Sequence, residues 1–383
     1  MLRIMGGAST IALCASSVLA GGVERSSQST AILFEKGNYL EFSVGHVAPD
    51  VGGTQAIPTG PFSPAGVKSG DMTGDYTTYA LGFKAALSEN IDAAIVLDSP
   101  IGADVEYKPD TGYIYGGSSL AIPGSTASLD ASAVTAMLKY RFPNNVSIFG
   151  GVRSQSVKGQ VDLFTGYTMG VKNETELGYL VGIAYERPQI AMRVALTYNS
   201  AITHDFKARE AILGTPILKN TEFSTEVPQS LNLEFQTGIA ADTLLFGSVR
   251  WVDWSAFDIT PEIYELAYQN ALVSYDDDTI TYQIGLGRKF NDTWSGAISV
   301  AHEPSVDGFA GNLGPTDGFT SVGLAATYTR EKFSITGGVR YIWIGDADTE
   351  APKALTGGRE GVKLGKFDDN DGYAFGLKMA YRF

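Results

Sequence analysis

Cysteine is almost missing from this 383-residue chain: there is one, Cys14, and it lies within the first twenty residues. A chain cleaved after Ala20 would hold none, which excludes a disulfide framework and any thiolate metal or redox site. Past that leader, no run approaches the eighteen or more apolar residues that a spanning helix requires. Histidine is scarce as well. The three present, His46, His204 and His302, lack the spacing of a zinc motif, and neither a serine elbow nor a phosphate loop accompanies them. His204 and His302 fall near expected outer strand ends and read as ordinary strand-end residues. Catalysis is therefore not expected, and no cofactor or metal is implied. Cations are outnumbered, and the formal net charge of −14 argues against nucleic acid, which wants a basic surface. The acids gather at residues 276–278, 346–350 and 368–371, read here as solvated outer loops, with ion bridging to lipopolysaccharide the lesser reading. The last cluster is no calcium loop, because Gly372 comes one position early.

What the chain does hold is tyrosine (19), phenylalanine (19) and glycine (45), with a mean hydropathy near zero. The C-terminal twelve residues alternate without a fault: Tyr373, Phe375, Leu377, Met379, Tyr381 and Phe383 against Ala374, Gly376, Lys378, Ala380 and Arg382. Large apolar groups on one face, with a terminal aromatic, are what a lipid-facing strand of an outer-membrane barrel requires. At the other end, Arg3 and an apolar stretch through Ile11, Leu13, Val18 and Leu19 read as a signal peptide over residues 1–20. Leu13 is too bulky for a lipoprotein signal at Cys14.

About fourteen strand candidates follow, among them Ile91–Tyr107, Gln189–Phe206 and Phe223–Gly238, and the connections alternate short and long. Short periplasmic turns and long outer loops are the rule for such barrels, so both termini are expected on the periplasmic side. The expected organisation is all-β: a transmembrane antiparallel barrel over residues 38–383, preceded by a plug or hatch over residues 21–37. Lipid-facing sets include Thr77/Tyr79/Leu81/Phe83 and Ile280/Tyr282/Ile284/Leu286, and the four tryptophans (Trp251, Trp254, Trp294, Trp343) sort into two interfacial belts.

The complementary parity points inward and carries Lys84, Lys139, Arg153, Arg193, Arg250, Arg340 and Lys378. Arg153, Arg250 and Arg340 each follow a short turn by about eight residues, roughly 20 Å up a tilted strand. A guanidinium fork binds a carboxylate bidentately, so an acid headgroup could be held there while an alkyl chain lies along Phe149, Phe246, Val252 or Ile342. The competing reading is ion pairing that fills the lumen, with Glu41, Asp92, Asp98 and Glu234 as partners. Leu97-Asp-Ser-Pro-Ile-Gly102 interrupts the third strand: Pro100 removes a ladder donor and Gly102 weakens pairing, which either opens the wall or ends the strand. Residues 261–272 read as an outer-loop helix with Ile263, Leu266, Ala267 and Ala271 on one face, more a cap over the mouth than a collector of greasy substrate.

The segments Thr225-Glu-Val-Pro-Gln-Ser-Leu-Asn-Leu-Glu-Phe-Gln-Thr-Gly238 and Leu244-Leu-Phe-Gly-Ser-Val-Arg-Trp-Val-Asp-Trp-Ser255 resemble the proline-containing and tryptophan-ending strands of FadL-type long-chain fatty acid transporters, which include importers of aromatic hydrocarbons. Leu97 to Tyr107 resembles that family's interrupted third strand. The resemblance implies a hatch at residues 21–37, a lateral opening bordered by Pro100 and Gly102, and passive uptake of hydrophobic molecules, most of all long-chain fatty acids, across the outer membrane of a Gram-negative bacterium. The family's Asn-Pro-Ala motif is replaced by Leu33-Phe-Glu-Lys-Gly37, a departure at the hatch. A general porin for small hydrophilic solutes and a structural or adhesive surface protein are the rival classes. Outer-membrane lipid and lipopolysaccharide are the expected surroundings, and the chain is expected to act as a monomer.

Overall fold

A computed structural model describes residues 23–60, 62–117, 123–213, 219–306 and 308–383. The expected leader, residues 1–20, lies outside the described residues, as do Gly21 and Gly22. Among the described residues fourteen antiparallel strands close into a barrel, because the first pairs with both the second and the last. They are β1 (Tyr39–Asp50), β2 (Tyr76–Ala86), β3 (Ile91–Asp98 and Gly102–Glu106), β4 (Thr126–Arg141), β5 (Val146–Asp162), β6 (Tyr167–Arg187) and β7 (Met192–Asn199 and Ile202–Ile212). The circuit continues through β8 (Lys219–Val227 and Ser230–Ala240), β9 (Thr243–Val252), β10 (Thr279–Lys289), β11 (Trp294–Glu303), β12 (Phe319–Arg330), β13 (Phe333–Ile344) and β14 (Asp371–Arg382). Among the described residues no helix is long and apolar enough to cross a membrane.

Alternation decides the faces as the sequence implies. Tyr79, Phe83, Ile284, Trp343, Phe375 and Phe383 are exposed on the outside, whereas Lys84, Lys139, Arg153, Arg193, Arg250 and Arg340 are buried in the lumen. Of the tryptophans, Trp294 and Trp343 sit outside at opposite ends, but Trp254 departs from the belt. It lies in a 3-10 turn (Trp254–Ala256), is buried, and packs on Phe257 and Tyr275 at the mouth.

Four strands do not keep one parity along their length; on β3 the break between Asp98 and Gly102 reverses it, with Asp92 and Ala94 inward below and Ala103 and Val105 inward above. On β7 the inward residues are Arg193, Ala195, Thr197 and Asn199 below, and Ile202, His204, Phe206, Ala208 and Glu210 above. The two sets are joined through Ser200 and Ala201, an odd step that reverses the faces. On β8 the same reversal falls at Pro228 and Gln229, between Val227 and Ser230. On β6 it falls where Lys158 of β5 opposes both Lys172 and Asn173, a bulge. The bulges of β6 and β7 stand at different heights, and among the described residues no ladder pair joins 172–179 to 200–207. Unbroken alternation along residues 189–206 would turn Phe206 outward; it is buried instead.

β5 and β6 run long, so the outer loop between them is only four residues, 163–166. The cap over the mouth comes from elsewhere: a small sheet of Gly53–Gln55, Lys363–Phe367 and Ala347–Glu350, a hairpin of Asp258–Ile259 with Val273–Ser274, and helix α1 (Glu262–Tyr268). The helix is shorter than expected and presents a different face. Gln269 takes a left-handed C-cap with φ +56°, which stops the helix, and Tyr264 is the buried residue while Leu266 is 72% exposed. Tyr264 packs on Tyr167 and Tyr268, and the buried carboxylate of Glu210 accepts from the Tyr167 hydroxyl (2.8 Å) and from the backbone N–H groups of Ile263 (3.1 Å) and Tyr264 (3.3 Å).

Candidate transport site: chamber, hatch and wall break

The N-terminal segment from Val23 to Asn38 lies inside the barrel and descends from mid-height to the short-turn end, where β1 begins. Its lower half is held by packing and by lysines. A 3-10 turn (Ala31–Phe34) buries Ile32 and Leu33, and Ile32 lies so close over β2 that a Cβ on Gly82 would come within 2.5 Å of its Cδ1. Lys84 donates to the backbone oxygens of Glu35 (2.8 Å) and Gly37 (3.0 Å), and Lys139 donates to that of Leu33. Both ammonium groups also share Asp92, at 2.5 and 3.1 Å. Phe34 meets Phe149 edge-on at 5.8 Å, with the Lys139 and Arg193 cations at 4.5 and 4.7 Å from its ring centre.

The upper half meets the broken strand. β3 loses its ladder between Asp98 and Gly102, and the segment supplies replacement bonds: Arg25 and Ser26 N–H donate to the Pro100 oxygen (2.8 and 3.2 Å), and Gly102 N–H donates to the Val23 oxygen (2.8 Å). Side chains reinforce this, Arg25 with Asp104 at 2.6 Å and Ser26 with Asp98 at 2.8 Å. Gly102 has no room for a side chain, since a Cβ would stand 2.6 Å from the Arg25 guanidinium. The interruption at Pro100 is thus a real gap in pairing, patched from inside by the hatch.

Of the three lumen arginines singled out by the sequence, two come together and one stays apart. Arg250 forks the Glu24 carboxylate, its Nε donating to Oε1 (2.9 Å) and Oε2 (3.1 Å) and its Nη2 to Oε1, while Nη1 donates to Ser230 (3.1 Å) and Asn232 (2.5 Å). Arg153 donates to Thr135 (3.0 Å) and to the Gln28 side-chain oxygen, and its charge lies within reach of Asp98, Arg250 and Glu24. Arg340 donates to Ser321 at 3.0 Å and leaves Nη2 unpaired. Phe149 lies beside the lower hatch, and Phe246 is half-buried over Gly285. Two other lumen acids have partners: Glu41 pairs with Lys378, and Glu234 accepts from the Ser29 hydroxyl.

Above the hatch is an apolar chamber of about 1110 Å³, counting its open mouth. Its walls are Ala103, Val105, Leu129, Val161, Met169, Val171, Phe206 and Phe223, its roof includes Phe257, Ile259, Leu272, Val273, Tyr275 and Leu313, and Val23 is the hatch residue that reaches it. Among the described residues no lining residue carries a charge. Phe149, Phe246, Val252 and Ile342, expected from parity along straight strands, do not line it; Phe206 and Phe223 are turned inward by the reversals in β7 and β8. Glu24, Ser230 and Asn232 were missed too. The available signal was charge complementarity: residues 21–37 hold only two acids, Glu24 and Glu35, for a lumen rich in arginine.

The family model described as outer membrane protein transport protein (OMPP1/FadL/TodX) matches residues 6–383. The chain belongs to this family. Its barrel is accordingly that of an outer-membrane transporter of hydrophobic compounds, in the envelope of Gram-negative bacteria. Similar solved structures include a Pseudomonas aeruginosa FadL homologue, at 15% identity over 92% of each chain with a TM-score of 0.73. The toluene transporter TodX of Pseudomonas putida is similar at 11% identity, TM-score 0.61, over 96% of this chain and 94% of that one. The Ralstonia pickettii toluene transporter TbuX is similar at 11% identity, TM-score 0.59, over 91% and 90%. At these identities the likeness speaks for the fold. No curated protein matches the chain by sequence.

Proposed function

We propose that this FadL-family barrel takes up long-chain fatty acids passively, holding them in the apolar chamber and releasing them sideways at the β3 break between Pro100 and Gly102. The observation that carries this reading is continuity. Ala103 and Val105, just past the break, form part of the chamber wall, and Val23, whose backbone oxygen patches the break, is part of the same lining. Cargo resting in the chamber therefore touches both the patch and the patched strand. Affinity comes from burying the chain, at about 0.8 kcal/mol per methylene, and release requires the hatch to shift. A carboxylate would be met below the chamber by Arg250, with Arg153 beside it; Arg340, with its spare donor, is a later resting point. His204 and His302 have no catalytic role in this reading, and the protein works as a monomer among outer-membrane lipid and lipopolysaccharide.

A second reading is favoured by the chamber's lining, which among the described residues carries no charge: uncharged hydrocarbons as cargo. Proteoliposomes holding the purified protein separate the two, since a fatty-acid transporter moves oleate far faster than toluene or hexadecane. Planar bilayers test the class. A plugged transporter gives little steady conductance, whereas a large steady conductance would establish the general-porin alternative and end this proposal.

A further inference from the structure

Resting on the fatty-acid reading above, we propose that Glu24 is the specificity-determining residue of this transporter: it occupies the headgroup site as a built-in carboxylate, and an incoming acid opens the wall by taking its place. Arg250 already has the form of a carboxylate receptor. Its Nε and Nη2 make the planar fork, and Ser230 and Asn232 hold the remaining edge through Nη1, so the guanidinium stays aimed when the carboxylate changes. The pair is nearly dry, with Arg250 8% and Glu24 15% exposed at the side chain. A buried arginine is costly to leave without an anion, so the exchange has to be carboxylate for carboxylate. A hydrocarbon or an alcohol has nothing to offer Arg250 in return for Glu24.

The position of Glu24 in the chain converts that exchange into a gate. Its neighbour Val23 lines the chamber, so an alkyl chain resting there brings its headgroup to the level of the fork. Glu24 itself forms a β-bridge with Ile101, inside the interruption of β3, and the next two residues donate to the Pro100 oxygen. Pulling Glu24 out of the fork removes one of three side-chain holds on the segment that patches the wall, and leaves those of Arg25 with Asp104 and of Ser26 with Asp98 to give way in turn. Arg153 lies within electrostatic reach of Glu24, so a second carboxylate is attracted to the fork while the first is still in place. The lower half of the hatch, anchored on Lys84 and Lys139, is untouched, so the segment swings without leaving the barrel.

The experiment compares oleate with oleyl alcohol, which share an alkyl chain and differ in the headgroup, on the full mature protein in detergent and in proteoliposomes. Glu24→Gln removes the internal competitor while keeping the side chain's size. It is expected to raise oleate affinity by at least about tenfold, because the competent state no longer competes with the latch, and to leave oleyl alcohol within twofold. Arg250→Gln is expected to abolish the preference for oleate. A disulfide formed between Ser26→Cys and Asp98→Cys is expected to stop oleate transport, and reduction to restore it. Heat-modifiable migration on gels verifies that each variant is a folded barrel. The proposal is overturned if Glu24→Gln changes the two ligands in parallel, or lowers oleate affinity. Failure of the fatty-acid reading itself looks different: the unmodified protein then neither prefers nor transports oleate.

Discussion

The two halves of the hatch are made of the same kind of chain but attached in opposite ways. From Ser29 to Gly37 the hold is mainly apolar burial and ammonium groups donating to backbone oxygens, with one ion pair, Glu35 to Arg382 at 2.8 Å, and no small molecule can imitate a backbone carbonyl already covalently in place. From Val23 to Gln28 the hold is side-chain charge and a handful of bonds to a strand that has lost its own partner. Those are interactions a soluble acid can replace. One half is therefore an anchor and the other a latch, and the boundary falls near Ser29, whose hydroxyl donates to Glu234 at 2.6 Å.

The largest effect is expected from attacking the anchor. Asp92→Ala leaves Lys84 and Lys139 buried without their shared carboxylate, and should cost about 3–5 kcal/mol in denaturant unfolding of the barrel; a loss confined to transport would show that the lysines serve the latch instead. Gly82→Val drives a side chain into Ile32, and an overpacking loss of about 1–3 kcal/mol is expected, read in the same titration. Gly102→Val makes the matching intrusion on Arg25. Here the latch can yield, so stability should fall by less than about 1 kcal/mol while single-channel conductance rises. Equal losses at Gly82 and Gly102 would erase the distinction between the halves. The smallest effect belongs to the cap: Leu266→Ser should alter stability and oleate uptake hardly at all, within about 0.5 kcal/mol, whereas a marked fall in uptake would make α1 a collector of substrate.

The barrel was legible because its rule is short-ranged. A period of two between Tyr373 and Phe383, and tight turns such as the one at Asn145, where φ is +66°, need only local residues to be read. Pro100 was legible for the same reason, since a missing donor breaks a ladder wherever it stands. The chamber was not. Phe206 and Phe223 line it only because one odd step in each strand, at Ser200–Ala201 and Pro228–Gln229, reverses every residue beyond; Pro228 signals a break in β8 without saying that the parity changes, and nothing in Ser200–Ala201 signals even the break. The partner of Arg250 was hidden for a different reason: Glu24 and Arg250 are 226 positions apart, and parity alone places an arginine in a lumen without saying what fills that lumen. The face of α1 was misjudged because a twelve-residue periodicity was read where seven residues form a helix.

The face reversals in β6, β7 and β8 divide that side of the wall into two storeys. Below them, odd positions of β7 look into the lumen and even ones meet lipid; above, the assignment is exchanged. The membrane's demand for greasy outward residues therefore applies to a different set of positions from the one that shapes the chamber. Cargo preference can be retailored upstairs, residue by residue, with the lipid belt left as it is.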